Sequence, residues 1–319
     1  MAESRLQATV GVDIGGTKTA VILSTHHPDV QWRRAFPTEP ARGPEHALRT
    51  MGELIEEGLR ATKTAVTRIG VSCGGPLDPA AGVIQAPPNL PTWDNVPVTR
   101  ILAERFSAPC RVENDANAGA VAESRYGAGV GARSVVFLTM GTGLGAGIVI
   151  DGHILRGATE CAGEIGHVRL TRGGPVGYGK AGSAEGWASG AGVAQLAVGA
   201  VRKYGASTAL SEVYARNGAL TALDVANAAA QGDVVARRIF TTSGRRLGQA
   251  LAILIDVVNP ERIVIGGLAM RLGDKILAPA RAVVEREALA PAVRGCTIVP
   301  AALGERIGDI AALCVAEGL

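Results

Sequence analysis

The 319-residue sequence predicts an α/β protein built from two related lobes. Short β-branched segments alternate with longer segments of helical period, and one plan of strand, glycine-threonine turn and strand occurs twice. Hydrophobic residues make up 47% of the chain, which supplies a large core and excludes a disordered protein. Because the length is about twice that of a typical domain, two lobes are more consistent with it than one small module.

Two helices stand out from the hydrophobic pattern. Residues 44–62 place Leu48, Met51 and Ile55 on one face, and residues 234–258 show similar spacing up to Asn259-Pro260, where a helix must stop. Residues 74–97 are rich in glycine and proline and show no period, so a long loop is predicted there. The predicted strands are residues 9–14, 19–23, 30–36, 69–72, 134–139, 146–150 and 262–265.

The repeated plan indicates where a ligand binds. TVGVDIGGTKTAVIL starts at Thr9, and SVVFLTMGTGLGAGIVI starts at Ser134. Their turns consist of small residues whose N–H groups and hydroxyls can hold phosphate oxygens without a side chain blocking the approach. Two such turns predict a nucleotide site in a cleft, although hairpin turns without any ligand remain an alternative. The turn residues are Gly15, Gly16 and Thr17 in the first segment and Gly141, Thr142 and Gly143 in the second.

Other nucleotide-binding motifs fit poorly. Gly141 to Ala146 satisfies G-x-G-x-x-G/A, but that fingerprint requires a helix directly after the loop. Here a strand through Ile150 and an Asp151-Gly152 turn follow, which argues against a dinucleotide-dependent dehydrogenase. The sequence contains no G-x-x-x-x-G-K-[ST], so a P-loop is excluded.

Four polar residues beside these segments are candidates for the chemistry. Asp13 ends the first strand, where a carboxylate can hold magnesium against phosphates, and Lys18 can neutralise phosphate charge. Asp115 begins a predicted helix and can accept the proton of an attacking hydroxyl, while Asn114 can hydrogen-bond a neighbouring hydroxyl. The alternatives are a turn-forming role for Asp13, a solvated Lys18 and a helix-capping Asp115.

Composition excludes several partners and compartments. The formal net charge is +3 and no block of five like charges occurs, so neither nucleic acid nor a membrane surface is an expected partner. The five cysteines are scattered and form no C-x-x-C pair, which favours reduced thiols. Neither a signal peptide nor a run of about 18 apolar residues is found, and a cytoplasmic location is therefore expected.

Six motifs, in order along nearly the whole chain, resemble the ROK family of bacterial sugar kinases and repressors. The resemblance implies the actin-like ATPase fold, which is ribonuclease H-like, with two α/β lobes around a nucleotide and sugar cleft. On this basis we expect a small lobe of residues 1–113 and 302–319 and a large lobe of residues 114–301. The motifs are Asp13-Ile-Gly-Gly-Thr-Lys18, Pro88-Asn-Leu-Pro-Thr-Trp93, Asn114-Asp-Ala-Asn117, Gly141-Thr-Gly-Leu-Gly-Ala-Gly147, Ala162-Gly-Glu-Ile-Gly-His167 and Ile265-Gly-Gly267.

The same resemblance implies roles for individual residues. Asp115 matches the catalytic base, and Gly266 and Gly267 match the turn that approaches adenosine. Without the family, Glu164 and His167 would be interpreted as a surface pair. The residues that match the sugar-binding set are Gly75, Asn89, Asn114, Glu164, His167 and Glu185.

One stretch departs from the family. The family usually has C-x-C-G-x-x-G-C-x-E after its G-H, and its three cysteines join the histidine around a structural zinc. Here Val176, Tyr178 and Ser183 occupy the cysteine positions, and only the acid Glu185 is retained. We therefore expect no structural zinc and a different partner for the second ring nitrogen of His167.

The resemblance implies an ATP-dependent hexokinase that acts on the 6-hydroxyl of a hexose, with glucose expected first and magnesium as cofactor. Kinases of mannose or of an N-acyl hexosamine, N-acetylmannosamine or N-acetylglucosamine, remain alternatives, and polyphosphate remains an alternative donor. A non-catalytic sugar-sensing regulator is the alternative from another class. A homodimer is expected from the resemblance alone.

Overall fold

The computed structural model describes residues 6–319, which form two compact units. Unit 1 contains the described residues up to Val130, together with Gly152–Ile154 and Leu303–Leu319. Unit 2 contains Gly131–Asp151 and Leu155–Ala302. This division differs from the expected lobe boundary at residues 113 and 114, because the helix that follows Asn114 packs against the C-terminal helix and stays in unit 1.

The chain contains both helices and strands throughout, as the predicted α/β class requires, although α4 to α8 follow one another without an intervening strand. Up to Tyr126 the elements are β1 (Leu6–Ile14), β2 (Lys18–Ser24), β3 (Trp32–Pro37), α1 (Pro44–Thr62), β4 (Thr64–Cys73), β5 (Leu77–Asp78), β6 (Val83–Ile84), α2 (Val98–Phe106), β7 (Cys110–Asn114) and α3 (Asp115–Tyr126). The later elements are β8 (Ser134–Met140), β9 (Leu144–Ile150), β10 (His153–Ile154), β11 (Val176–Gly177), β12 (Lys180–Ala181), α4 (Ala184–Ala188), α5 (Gly190–Tyr204), α6 (Leu210–Asn217), α7 (Ala222–Ala230), α8 (Val234–Val258), β13 (Arg262–Gly267), α9 (Leu268–Leu272), α10 (Asp274–Glu287), α11 (Ala290–Gly295), β14 (Thr297–Pro300) and α12 (Ile307–Glu317).

The main sheet of unit 1 has the strand order β3-β2-β1-β4-β7. Strands β1 and β2 form an antiparallel hairpin, whereas β1 runs parallel to β4 and β4 runs parallel to β7. Val10, Val12, Ile69 and Val71 in the two central strands are fully buried. Both faces of the sheet are covered, because α1 packs on one side of the hairpin and α12 packs on β1 and β4.

The sheet of unit 2 repeats this plan. Strands β8 and β9 form the antiparallel hairpin, β8 runs parallel to β13, and β13 runs parallel to β14. The long helix α8 packs against α10 and buries one apolar face, including Ile239, Leu247 and Leu251. The internal repeat in the sequence thus corresponds to two sheets that share a hairpin followed by two parallel strands.

The predicted helices 44–62 and 234–258 are confirmed at both ends, and Asn259 ends the second in a left-handed conformation before Pro260. The strand predicted at residues 30–36 begins later, at Trp32, because residues 26–29 form a turn. The predicted loop 74–97 contains the short strands β5 and β6 and buries Leu90 and Trp93 completely. The loop therefore packs into the main core of unit 1, which its lack of periodicity did not indicate.

All five cysteines are free thiols. Cys73 and Cys314 are buried, Cys110 and Cys296 are half-buried, and Cys161 is exposed. Among residues 6–319, no helix combines the length and the apolar composition needed to cross a membrane.

Candidate active site

The first group of predicted site residues lies where three neighbouring parallel strands of unit 1 end. Asp13 pairs with Ser72 across β1 and β4, and Cys73 at the end of β4 pairs with Asn114 at the end of β7. The chain segments that follow these strands therefore leave the sheet at one edge. In α/β proteins this carboxyl edge is the usual place for ligands.

Asn89 connects the glycine turn to the proposed base. A Cβ atom placed on Gly16 would lie 2.7 Å from the Asn89 Cβ, so the loop packs directly on the turn. A Cβ atom on Gly74 would lie 3.8 Å from Asn89 Nδ2 and 3.9 Å from Asp115 Oδ2. A Cβ atom on Gly75 would lie 3.3 Å from Asn114 Nδ2. The structure thus brings these predicted residues together around the Gly74-Gly75 backbone.

Asn114, rather than Asp115, caps helix α3. Its Oδ1 accepts hydrogen bonds from the N–H groups of Ala116, at 2.9 Å, and Asn117, at 3.3 Å. Asp115 Oδ1 also accepts a hydrogen bond from Ala116, at 2.8 Å, while its Oδ2 is the oxygen nearest Gly74. The carboxyl of Asp115 is therefore held at one oxygen and directed into the group of site residues with the other.

Both carboxyls of this group have raised pKa values. Burial raises the pKa of Asp13 to about 7, and the charges of Asp115 and Asp309 add to this, against the opposing effect of Lys18 and Arg33. The Asp115 side chain reaches solvent, yet the surrounding protein reduces its solvation and raises its pKa, while the Ala116 hydrogen bond partly opposes the shift. A carboxylate with a raised pKa is a better proton acceptor than an ordinary aspartate.

Helix α12 begins beside Asp13. A side chain on Gly308 would overlap the Asp13 carboxylate, so only glycine allows this approach. The next residue, Asp309, is buried and accepts a hydrogen bond from Arg33 Nε on β3 at 2.7 Å. Sequence reasoning missed Arg33 and Asp309, because they are far apart in the chain and belong to no recognised motif.

Asp13 suits a magnesium ion that is held mainly by nucleotide phosphates. Within residues 6–319 no group of three or more His, Cys, Asp or Glu side chains is arranged to hold a metal. Mg²⁺ bound with a nucleotide does not need such a group, since one or two carboxylates, phosphate oxygens and waters complete its shell. The crowding of negative charge around Asp13 also favours a cation there.

The first glycine turn is closed and braced. Gly15 donates its N–H to the Lys18 carbonyl at 3.0 Å. Thr38, which is fully buried, donates its hydroxyl to the Gly15 carbonyl at 2.6 Å and its N–H to the Thr17 carbonyl at 3.0 Å. Thr17 and Lys18 are exposed, as ligand-facing residues should be. Thr38 is a third residue that the sequence did not reveal.

The second glycine turn, in unit 2, is held by the start of α5 and by Glu185. Gly141 donates to the Gly143 carbonyl at 3.0 Å and accepts from the Gly190 N–H at 2.8 Å. Glu185 Oε2 accepts the N–H of Leu144 at 3.1 Å, and a Cβ atom on Gly143 would lie 2.7 Å from that oxygen. Glu185 therefore contacts the second glycine turn. The sugar-binding role expected from the sequence did not predict this contact.

Gly266 and Gly267 end strand β13 next to the same turn. Gly267 pairs with Met140, which directly precedes Gly141, and adopts a φ of 68° that disfavours other residues. Thr142 and Gly267 are exposed, whereas Gly266 is buried against Phe137. The four predicted nucleotide-binding residues of unit 2 thus lie at one edge of its sheet, as those of unit 1 do.

Glu164 and His167 lie at the surface of unit 2. Their Oε2 and Nε2 atoms are 3.8 Å apart, and 57% of the Glu164 side chain and 40% of the His167 side chain are exposed. The ring of Tyr178 meets the His167 ring edge-on, with 4.9 Å between centroids and an angle of 73°. Lys180 Nζ donates to the His167 carbonyl at 2.8 Å. Exposed side chains of this kind are able to contact a polar ligand.

Hydrogen bonds hold the loop that contains Val176, Tyr178 and Ser183. Val176 is bonded at both backbone groups by the Gln195 side chain, at 2.9 and 2.8 Å. Ser183 is buried and caps α4 by accepting the Gly186 N–H at 3.1 Å. Trp187 Nε1 donates to Thr171 Oγ1 at 2.8 Å. These contacts hold the loop at Val176 and Ser183, two of the positions where the sequence departs from the motif that the family resemblance implied.

The ROK family model matches residues 9–318. The chain belongs to the ROK family. It is 34% identical to a glucokinase of Halalkalibacterium halodurans, over 94% of this chain and 92% of that protein. It is 30% identical to an N-acetylmannosamine kinase of Citrobacter koseri, over 98% of this chain and 99% of that protein.

Among solved structures, a ROK family glucokinase from Streptomyces griseus in complex with glucose and AMPPNP superposes with a TM-score of 0.79. The two sequences are 29% identical, and the match covers 97% of this chain and 99% of that one. This ROK protein has the actin-like ATPase fold that the sequence motifs implied.

Proposed function

We propose that this ROK protein is an ATP-dependent hexokinase that phosphorylates the 6-hydroxyl of a glucose-like hexose. The observation that carries the proposal is the position of Asp115. It begins α3 at the carboxyl edge of the unit 1 sheet, has a raised pKa, and faces the same backbone as Asn89, which packs on the glycine turn. Relatives named glucokinase at 34% and 33% identity support glucose as the first candidate.

Asp115 is proposed as the general base. Its carboxylate accepts the proton of the sugar hydroxyl as that oxygen forms a bond to the γ-phosphorus of ATP and the bond to the bridging oxygen breaks, which releases ADP. Asn114 keeps the Asp115 backbone at the helix start through its capping bonds, and its Nδ2 near Gly75 can donate to a neighbouring sugar hydroxyl.

The nucleotide is assigned to the two glycine turns. In unit 1, Thr17 and Lys18 are exposed and can donate to phosphate oxygens, while Gly15 and Gly16 carry no side chain that would block the approach. Thr142 and Gly143 are proposed to serve the same purpose in unit 2. Gly266 and Gly267 would allow the backbone to approach adenosine. Asp13 would hold Mg²⁺ directly or through its waters, and this ion neutralises phosphate charge in such reactions.

Sugar-binding roles are proposed for Gly75, Asn89 and Asn114 in unit 1 and, separately, for Glu164, His167 and Glu185 in unit 2. Carboxylate, amide and imidazole groups pair with ring hydroxyls, and an epimer that leaves them unpaired is rejected. Glu185 already uses Oε2 to hold Leu144, so its other oxygen is the one available to sugar. The second candidate substrate class is the N-acyl hexosamines, because the N-acetylmannosamine kinase relative matches nearly the whole chain.

Three expectations from the sequence belong to this proposal. The enzyme is expected to contain no structural zinc, to work in the cytoplasm, and to form a homodimer. A homodimer and the cytoplasmic location are supported by family resemblance and composition, and the loop contacts of Gln195, Ser183 and Trp187 support independence from zinc.

A coupled assay of ADP release tests the function. The purified protein is assayed with ATP and magnesium over glucose, mannose, galactose, N-acetylglucosamine and N-acetylmannosamine, with polyphosphate as a second donor. We expect the highest kcat/KM for glucose, and phosphorylation confined to the 6-hydroxyl by NMR of the product. Absence of sugar-dependent ADP release across the panel would overturn the proposal in favour of a sugar-sensing regulator.

A further inference from the structure

Tyr178 occupies a backbone conformation that does not suit it. Strands β11 and β12 pair Gly177 with Lys180, so Tyr178 and Gly179 form the two-residue turn of a hairpin. Their φ values are 45° and 74°, both in the left-handed region. Two-residue turns with two positive φ values strongly prefer Asn-Gly, Asp-Gly or Gly-Gly, because a larger side chain is disfavoured there.

The turn at Asp151-Gly152 has the residue types that such a turn prefers. Its φ values of 50° and 81° nearly match those of Tyr178 and Gly179, and it uses aspartate at the first position. The left-handed position is therefore occupied by aspartate, which suits it, at residue 151, and by tyrosine, which does not, at residue 178. Residues held in such sparsely populated conformations cluster at active sites and ligand-binding segments.

The side chain of Tyr178 is also exposed, with 57% of its surface open to solvent. The apolar core therefore gains little from it, and its main ring contact is the edge of His167 at 4.9 Å. Gln195 holds the first strand of the hairpin, and Lys180, the first residue of the second strand, bonds to the His167 carbonyl. The turn thus presents the phenol ring at a fixed place beside His167 and Glu164.

We infer that Tyr178 is a sugar-contacting residue that supplies an aromatic surface for the C–H face of the hexose. A hexose offers hydroxyls at its rim and C–H groups on its ring faces, so a site needs an apolar surface as well as polar partners. Glu164 and His167 provide the polar partners, and the Tyr178 ring provides the apolar surface. This inference rests on the proposed function and adds a specificity-determining residue at a position where relatives carry a zinc-binding cysteine.

The variant Tyr178→Asn tests the inference, because it should make the protein more stable and at the same time weaken hexose binding. Asparagine suits a left-handed turn residue, so the melting temperature should rise by about 1–3 °C. Loss of the ring should raise the KM for the hexose about 3- to 10-fold, with kcat and the KM for ATP within about twofold of the wild type. Tyr178→Phe keeps the ring and should retain the wild-type KM for the hexose.

The experiment measures melting temperature with and without hexose, and steady-state kinetics, for the wild type, Tyr178→Asn and Tyr178→Phe. An unchanged KM for the hexose in Tyr178→Asn would overturn the inference, as would a lower melting temperature or failure to fold, because either would mean that Tyr178 stabilises the loop. A wild type that neither phosphorylates nor is stabilised by any hexose would overturn the proposed function and this inference together. An active wild type with an unaffected Tyr178→Asn would overturn the inference alone.

Discussion

The two units present their functional groups in different ways. In unit 1 the acids follow neighbouring parallel strands, Asp13 has a pKa of about 7, and Asp115 has a raised pKa. In unit 2 Glu164, His167 and Tyr178 lie on loops and are substantially exposed. Under the proposed function, unit 1 would place the proton-transfer chemistry on a rigid sheet edge, whereas unit 2 would recognise the sugar through surface loops, which vary more than the elements that they connect.

Asp115→Asn provides the strongest test of this comparison. The amide keeps the shape and the Ala116 hydrogen bond of the carboxylate but cannot accept a proton, so kcat should fall about 10²- to 10⁴-fold. The KM for the hexose should stay within about threefold, because the hydroxyl partners remain. Steady-state kinetics and a melting curve are the measurements, and near-normal turnover in a folded variant would remove Asp115 as the base.

The pH dependence of kcat/KM should also reflect the ionisation of Asp115. Only the deprotonated carboxylate can accept the hydroxyl proton, so kcat/KM for the hexose should fall about tenfold per pH unit below the Asp115 pKa. Because that pKa is raised from 3.8, the loss should begin at a higher pH than for an ordinary aspartate.

The measurement is kcat/KM for the hexose between pH 4 and 8, for the wild type and Asp115→Glu. The decline at low pH is called the acidic limb of the profile. The glutamate should move the limb, whereas a limb that arises from ionisation of ATP would stay in place. A limb shared by both enzymes would argue against the assignment to Asp115.

Glu164→Ala tests the recognition side of the comparison. Loss of a charged hydrogen-bonding partner should raise the KM for the hexose about 10-fold or more and lower kcat much less than Asp115→Asn does. Glu160→Ala is the matched control, since Glu160 is a nearby carboxylate that pairs with Arg156 at 3.1 Å on the surface. Equal effects of the two substitutions on the hexose KM would contradict a sugar-binding role for Glu164.

Removal of metal ions with EDTA should have a smaller effect than any of the changes above. The loop of residues 171–183 is held by Gln195, Ser183 and Trp187, so EDTA should change the melting temperature by less than about 1 °C. Metal analysis of the purified protein should find no stoichiometric zinc. One zinc per chain would contradict the expectation that the protein contains no structural zinc.

Periodic and repeated features were predictable from sequence. The α8 boundaries followed from its apolar spacing and from Asn259-Pro260, and the two hairpins followed from their matching glycine turns. These features depend on neighbouring residues, which a single sequence displays directly. The loop 74–97 was less predictable, because its buried Leu90 and Trp93 follow no period.

The supporting contacts of the site were not predictable for a related reason. Thr38 braces the Gly15 turn, and Asp309 joins Arg33 from the other end of the chain. No local pattern marks such residues, since their roles depend on which distant segments the fold brings together. Glu185 is intermediate between these two cases. The motif identified the residue, but only the structure showed its hydrogen bond to Leu144.

The distribution of thiols allows selective labelling next to Glu164, a residue proposed to bind the sugar. Burial raises the pKa of Cys110 and Cys314 to about 12 and that of Cys296 to about 11. Burial and the negative charges of Asp115 and Asp13 raise the pKa of Cys73 well above its usual value. Cys161, exposed and three residues before Glu164, is therefore the thiol that a maleimide should reach first at neutral pH. A fluorophore attached there would report on the recognition loop while leaving the acids of the other unit unmodified.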